Sequence, residues 1–357
     1  MPARDIAELD PVELEAALAA LGAQRFHARQ IYGWVHRRGI ADFAKMTDLS
    51  RELRGLLQAT CIVGTPEIAR KDVSIDGTTK YLLKLADGEL IEAVYIPDTP
   101  AQTFCISSQV GCAMGCGFCL TGKMGIVRNL TPGEIVGQVR VLASDLELLD
   151  KPFNIVLMGM GEPLHNYEKV MKALRMLASE HGLEMPAKRM TLSTVGVVPG
   201  IERLAREEFM PNLAISLHAT TDAQRTAIVP INRKYHLAQL IEACRAFPLK
   251  KRSRITFEYV LLDGVNDTPE DAKRLVKLLN GIRAKVNLLP LNEAPGIPFK
   301  RPSDENVNRF AAVLADHHVN VTVRKSRGRD IRAACGQLII DASEQRTPGR
   351  KLASLMS

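Results

Sequence analysis

The sequence predicts an α/β fold: a partial barrel of six strand–helix units, preceded by a helical module and a short β linker. Three observations predict it. Short apolar runs near 103–107, 154–158, 190–194, 213–217, 255–261 and 286–290 alternate with helical patterns, the signature of a parallel sheet closed or partly closed as a barrel. Leu9, Leu14, Leu18 and Leu21 recur at helical spacing near the start. Asp76-Gly77 and Asp87-Gly88 punctuate β-rich runs between them. These features divide the chain into a helical module at 1–62, a β-rich linker at 63–98, the barrel with a C-terminal segment at 99–342, and a tail at 343–357.

Local signals justify the elements in turn. Asp10 before Pro11 starts the first helix, with proline at the first turn. A second runs near His27 to Arg38 and stops at Gly39; a third, near Leu49 to Ala59, is capped by Ser50. Strands are expected at 79–85 and 90–96. Thr131-Pro-Gly-Glu134 reads as a capping box, and Thr268-Pro-Glu-Asp271 and Ser303-Asp-Glu-Asn306 as similar helix starts.

Composition narrows the function. No apolar run approaches the about eighteen residues a membrane span needs, so no membrane partner is expected. Arg4, Asp5, Glu8 and Asp10 break up the first residues, so no secretory segment is expected there and the expected compartment is cytoplasmic. Seven cysteines, an odd number, suit reduced thiols with metal or catalytic roles. The net charge of +7 is a mild bias toward polyanions. Eight basic and three acidic residues lie from Thr322 to Ser357. A basic run alone more often marks a solvated surface, so an RNA partner needs support from elsewhere.

That support begins at Cys112, Cys116 and Cys119, a C-x3-C-x2-C run after the first barrel strand. Three thiolates on a four-iron cube leave one iron open to a small molecule. The alternatives are zinc completed by a distant fourth ligand, or core cysteines grouped by chance. Glu162 and Pro163 follow the second strand in Gly-Met-Gly-Glu-Pro; Ser193 ends the third, Ser216, Leu217 and His218 the fourth, and Asn292 follows the sixth. Each alone is weak, but strand C-termini are where such barrels place their chemistry. Cys105 reads as a buried strand thiol. Cys335, preceded by arginines, reads as a reactive thiol whose pKa nearby cations lower. Glu92 alternates out of a strand, which usually means a solvated carboxylate.

C-x3-C-x2-C with Phe118 before the last cysteine resembles the radical S-adenosylmethionine (SAM) enzymes. Cys105-Ile-Ser-Ser-Gln-Val-Gly-Cys112, Gly125-x-x-Arg128-Asn129-Leu130, Gly159-Met-Gly-Glu-Pro-Leu164 and Ala334-Cys335-Gly-Gln resemble, more narrowly, the RlmN/Cfr family of radical SAM RNA methyltransferases. The resemblance spans roughly residues 5 to 341 and implies a radical-SAM barrel. It implies a [4Fe-4S] cluster on Cys112, Cys116 and Cys119, with SAM at Glu162, Pro163, Ser193, Ser216, Leu217, His218 and Asn292. It implies two SAM molecules per turnover: Cys335 takes a methyl from one, and a radical made from the other activates that methyl to attack adenine. Glu92 then acts as base, and Cys105 releases the product by forming a transient disulfide with Cys335. The implied product is 2-methyladenosine in 23S rRNA, at adenosine 2503, and in tRNA, at adenosine 37. The implied reductant is of the flavodoxin type and the implied state monomeric. C8 methylation, as in the Cfr branch, a radical enzyme with a non-RNA substrate, and a zinc-stabilised nucleic-acid-binding protein are the rivals.

Overall fold

The structure is a computed structural model that describes residues 3–97 and 101–340; the expected tail at 343–357 lies outside them. A two-residue strand, β1 (Arg4–Asp5), precedes three helices, α1 (Pro11–Ala19), α2 (Arg25–Tyr32) and α3 (Arg51–Thr60), and β2 (Cys61–Ile62) returns to pair with β1 in parallel. Asp10 and Glu13 close a reciprocal capping box on α1, and the Ser50 hydroxyl accepts from Leu53 N–H to start α3. The second helix continues past Tyr32 through a wider turn in which Arg38 N–H donates to Gly33 O at 3.1 Å. Leu14, Leu18, Ile31, Tyr32, Leu53 and Leu57 fill a separate small core.

The expected strands at 79–85 and 90–96 belong to a larger unit. Strands β3 (Glu67–Val73), β4 (Thr79–Lys84), β5 (Leu90–Ile96) and β6 (Thr103–Cys105) form an antiparallel run. A hairpin of β7 (Gln109–Cys112) and β8 (Gly125–Asn129), with the short α4 (Leu120–Met124) between them, then leaves the sheet. The chain continues through α5 (Pro132–Asp145), β9 (Asn154–Leu157), α6 (Tyr167–Ala178), β10 (Met190–Thr194), α7 (Val198–Leu204) and β11 (Asn212–Ser216). It ends with α8 (Asp222–Ile228), α9 (Leu237–Ala246), β12 (Ile255–Leu261), α10 (Pro269–Leu279), β13 (Ala284–Pro290), α11 (Asp304–Asp316) and β14 (Asn320–Val323).

One ten-stranded sheet results, ordered β14-β13-β12-β11-β10-β9-β6-β5-β4-β3. The six predicted barrel strands are all present and parallel in sequence order, and β14 adds a seventh beyond the last of them. The β-rich linker continues this sheet through the β5–β6 pairing, so the linker and the barrel share one surface. The cysteine run differs from expectation in one respect: it follows β7, a strand of the hairpin rather than of the barrel sheet.

The helical module docks through polar contacts as well as apolar ones. Glu8 reaches the start of α5, where its carboxylate accepts from the Thr131 hydroxyl at 2.5 Å and Gly133 N–H at 2.9 Å. Arg37 donates to Gly182 O at 2.9 Å, and the Tyr32 hydroxyl donates to Met176 O at 3.1 Å; just past the module, Gly64 O accepts from Arg140, on α5, at 2.6 Å. An anion at a helix N-terminus meets both free N–H groups and the positive end of the dipole. Replacing Glu8 with Ala should therefore cost about 1–2 kcal/mol, read as a lower urea midpoint with an unchanged slope; an unchanged midpoint would remove Glu8 from the docking account.

Candidate functional site

Cys112 closes β7, Cys116 lies in the loop, and Cys119 immediately precedes α4. The loop depends on Gly111, at φ +76°, where a Cβ would meet Gly125 O at 2.0 Å. Only glycine lets β8 cross that closely. The three thiols face one cavity at the C-terminal ends of the parallel strands. Burial pushes the Cys112 thiol up to about 12, and Cys119 and Glu162 add to the rise. Burial likewise raises Cys116 and Cys119, and for Cys116 the neighbouring thiols of Cys119 and Cys112 add their repulsion.

Three soft, mutually repelling sulfurs in an enclosed pocket become favourable as thiolates only around a cationic centre. Among the described residues no group of three or more His, Cys, Asp or Glu side chains has the geometry to hold a single metal ion. A four-iron cube instead takes one thiolate per iron. The three thiols fit such a cluster as its donor set.

Glu162, Pro163, Ser193, Ser216, His218 and Asn292 line the same cavity. Gly161, at φ +106°, lets the turn before Glu162 press on the β7 loop; a Cβ there would meet Gln109 Cβ and Ser108 Oγ, each at 2.7 Å. Glu162 accepts from Leu164 N–H at 3.0 Å and Val195 N–H at 2.9 Å. Burial outweighs those donors and pushes its carboxyl up to about 7. A ligand ammonium beside it would favour the ionised form.

His218 sits at φ +60° and accepts Val260 N–H on Nδ1 at 2.9 Å. Burial, with Arg225 beside it, holds its pKa down to about 3. The neutral ring must then carry its proton on Nε2, leaving a donor. Leu217 behaves differently from its neighbours. Its side chain is packed in the main core, and it reaches its surroundings through the backbone, donating to Glu258 O at 3.0 Å.

Cys335 borders this cavity and a second one. Cys105, Met158, Asn292, Ala334 and the segment from Thr322 to Arg327 line the second. Cys105 and Cys335, far apart in the sequence, therefore share a chamber. Cys105 senses its neighbour: Cys335 adds to the upward shift that burial imposes on the Cys105 thiol. The expectation of a lowered Cys335 pKa is corrected here. The thiol is exposed to the cavities but enclosed by protein, and desolvation pushes it up to about 11, with Glu258 adding to the rise. Arg324 opposes the shift and is outweighed.

Glu92 is also placed differently from the solvated carboxylate its pattern suggested. It is 0% exposed, ion-paired to Lys80 at 2.9 Å, and accepts Ile339 N–H at 2.8 Å.

The chain matches known proteins along nearly its whole length. Residues 106–279 match the radical SAM superfamily, and residues 4–63 match the ribosomal RNA large subunit methyltransferase N-terminal domain. A dual-specificity RNA methyltransferase RlmN of Anaeromyxobacter dehalogenans is 50% identical, covering 99% of this chain and 96% of that protein. The chain belongs to the RlmN family. A second RlmN, of Geobacter sulfurreducens, is 52% identical over 94% of this chain and 91% of its own length. A crystal structure of a radical SAM methyltransferase from Sphaerobacter thermophilus superposes with a TM-score of 0.90 at 46% identity, covering 94% of this chain and 99% of that one.

Two buried groups that support this RlmN-family site escaped the sequence reading. Arg225, on α8, has no exposed surface and donates to Leu217 O at 3.1 Å, Ser216 O at 3.3 Å, Asn232 Oδ1 at 3.2 Å and Val195 O. Asn266 donates to His218 O and Val260 O, both at 2.7 Å, and accepts Leu262 N–H. Neither lies in a motif or at a strand end, so the pattern carried no signal. Arg225→Met should cost about 3 kcal/mol through orphaned carbonyls. It should also lower the iron bound per chain after anaerobic reconstitution, read by metal analysis. Full iron loading and an unchanged denaturation midpoint would contradict that role.

Proposed function

We propose that the protein is a radical SAM RNA methyltransferase that places a methyl on adenine C2 in 23S rRNA and in tRNA. The observation that carries this reading is the shared chamber of Cys105 and Cys335 beside the three-thiol cavity. An enzyme that only generated a radical would need the three thiols and no further pair. The relatives' name, dual-specificity RNA methyltransferase, supports RNA as the substrate.

When bound to Cys112, Cys116 and Cys119, a [4Fe-4S] cluster supplies the electron that splits SAM. The chain's own residues do the rest. Glu162 and the Nε2–H of His218, with Pro163, Ser193, Ser216, Asn292 and the Leu217 backbone, bind and orient SAM. Cys335 accepts a methyl from one SAM molecule as nucleophile, and a second SAM is consumed in activating it. The chamber between Cys335 and Cys105 receives the unstacked adenine. Arg324, Lys325 and Arg327, which line that chamber, take neighbouring phosphates. Glu92 accepts the ring proton, and Cys105 attacks the Cys335 sulfur to release the methylated base, leaving a disulfide.

The helical module at 1–62 adds RNA contacts, the linker at 63–98 supplies the base, and the segment to 342 carries the methyl acceptor. The reading includes a flavodoxin-type reductant, a monomer and a cytoplasmic setting.

The test is the mass of the tryptic peptide Ala333 to Arg346 after anaerobic reconstitution and incubation with SAM. A gain of one methyl, absent in Cys335→Ala, is expected; an unmodified peptide beside a full iron complement would overturn the mechanism. Product analysis of methylated RNA separates C2 from C8. Because the Cys335 thiol sits at about 11, it is protonated at neutral pH. Its methylation should therefore accelerate about tenfold per pH unit from 7 to 9, measured by peptide mass against time. A flat profile would show that a neighbouring base removes the proton.

A further inference from the structure

We propose that Lys80 is the positioning residue for Glu92: it holds Oε1, so that Oε2 is the oxygen that exchanges the Ile339 amide for the substrate proton. This rests on Glu92 being the base of the reaction. Lys80 lies on β4 and Glu92 on β5; Leu82 is registered directly opposite Glu92. Lys80, two residues from Leu82, is therefore a diagonal neighbour of Glu92 on the same face of the sheet.

The side chains of this pair are 7% and 0% exposed, and Nζ lies 2.9 Å from Oε1, an ion pair whose hold is electrostatic and not that of an aligned hydrogen bond. A carboxylate buried that completely is costly without a cation, and removing the partner costs more than the pair is worth. The second oxygen is held differently. Oε2 accepts Ile339 N–H at 2.8 Å, a contact from the C-terminal segment, four residues beyond Cys335.

The two contacts differ in what would break them. Lys80 is anchored in the centre of an antiparallel run, paired on both sides by β3 and β5. Ile339 belongs to an irregular segment that also lines the adenine chamber through Ala333, Ala334 and Leu338. An incoming base can displace the segment's amide but not the sheet's ammonium. In the covalent adduct the ring C–H bond then breaks with its electron pair kept in the ring, the proton goes to Oε2, and the adduct's unpaired electron passes to the oxidised form of the flavodoxin-type couple, which restores the aromatic ring. Lys80 stays on Oε1 and fixes the direction in which Oε2 faces.

The test uses reconstituted wild type, Lys80→Met, Lys80→Arg and Glu92→Gln with SAM and a 23S rRNA fragment. It reads three quantities: methyl on Cys335, covalent protein–RNA adduct on a denaturing gel, and methylated RNA. Lys80→Met should still load methyl on Cys335, which also shows that it folds. It should accumulate adduct and release product about tenfold to a hundredfold more slowly, and Lys80→Arg should restore most of the rate. Product release by Lys80→Met at the wild-type rate overturns the proposal. So does loss of Cys335 methylation that Lys80→Arg leaves unrestored, since Lys80 would then serve packing alone. If Glu92→Gln stalls as adduct while Lys80→Met does not, the proposal fails and the base reading stands. If Glu92→Gln releases product normally, the base reading itself fails, and the proposal with it.

Discussion

Where parallel strands run out, the carbonyls that follow lose their sheet partners and must be satisfied otherwise, and the loops of this protein must hold a cavity rather than a packed core. Arg225 meets that constraint. Its guanidinium is buried without exposed surface and collects carbonyls from Val195, after β10, and from Ser216 and Leu217, at the end of β11. Asn266 does the same one strand further on, fixing His218 and Val260. With these carbonyls satisfied, His218 can hold an αL backbone conformation that costs a non-glycine residue energy. The polar lattice beneath the cavity fixes the backbone from which Ser216 and His218 face it.

Most of the frame was legible because local chemistry set it. Asp10, Ser50, Thr131 and Thr268 cap helices where expected, and the six apolar runs became six parallel strands. The seventh, Asn320–Val323, was missed because four residues at a sheet edge bury little and alternate too briefly to register. The joining of linker and barrel into one sheet was also invisible, since pairing between β5 and β6 depends on register and not on composition.

At the site, residues near strand ends could be placed by topology. What could not be read was environment. Arginines near Cys335 suggested a lowered pKa, yet enclosure outweighs Arg324. Glu92 followed the alternation of a solvated residue, yet Lys80 makes its burial tolerable. Both outcomes turn on which groups lie nearby in space, which spacing in sequence does not reveal.

The segment bearing Cys335 is held by parts of the chain made long before it. Gly336 O accepts Leu120 N–H at 2.8 Å, and Leu338 O accepts the Thr121 hydroxyl at 2.6 Å. Asp330 accepts the Ser74 hydroxyl at 2.5 Å, and Gly328 N–H donates to Asp76 at 3.1 Å. Such distant contacts close only after the intervening chain has folded, because long loops cost entropy before their contacts repay it. Cys335 thus seats late, after the sheet and the loop that receive it. A chain cut short before Gly328 would leave Leu120 N–H, the Thr121 hydroxyl, the Ser74 hydroxyl and Asp76 without these partners, so the helix behind Cys119 and the turn between β3 and β4 would both lose their clasp.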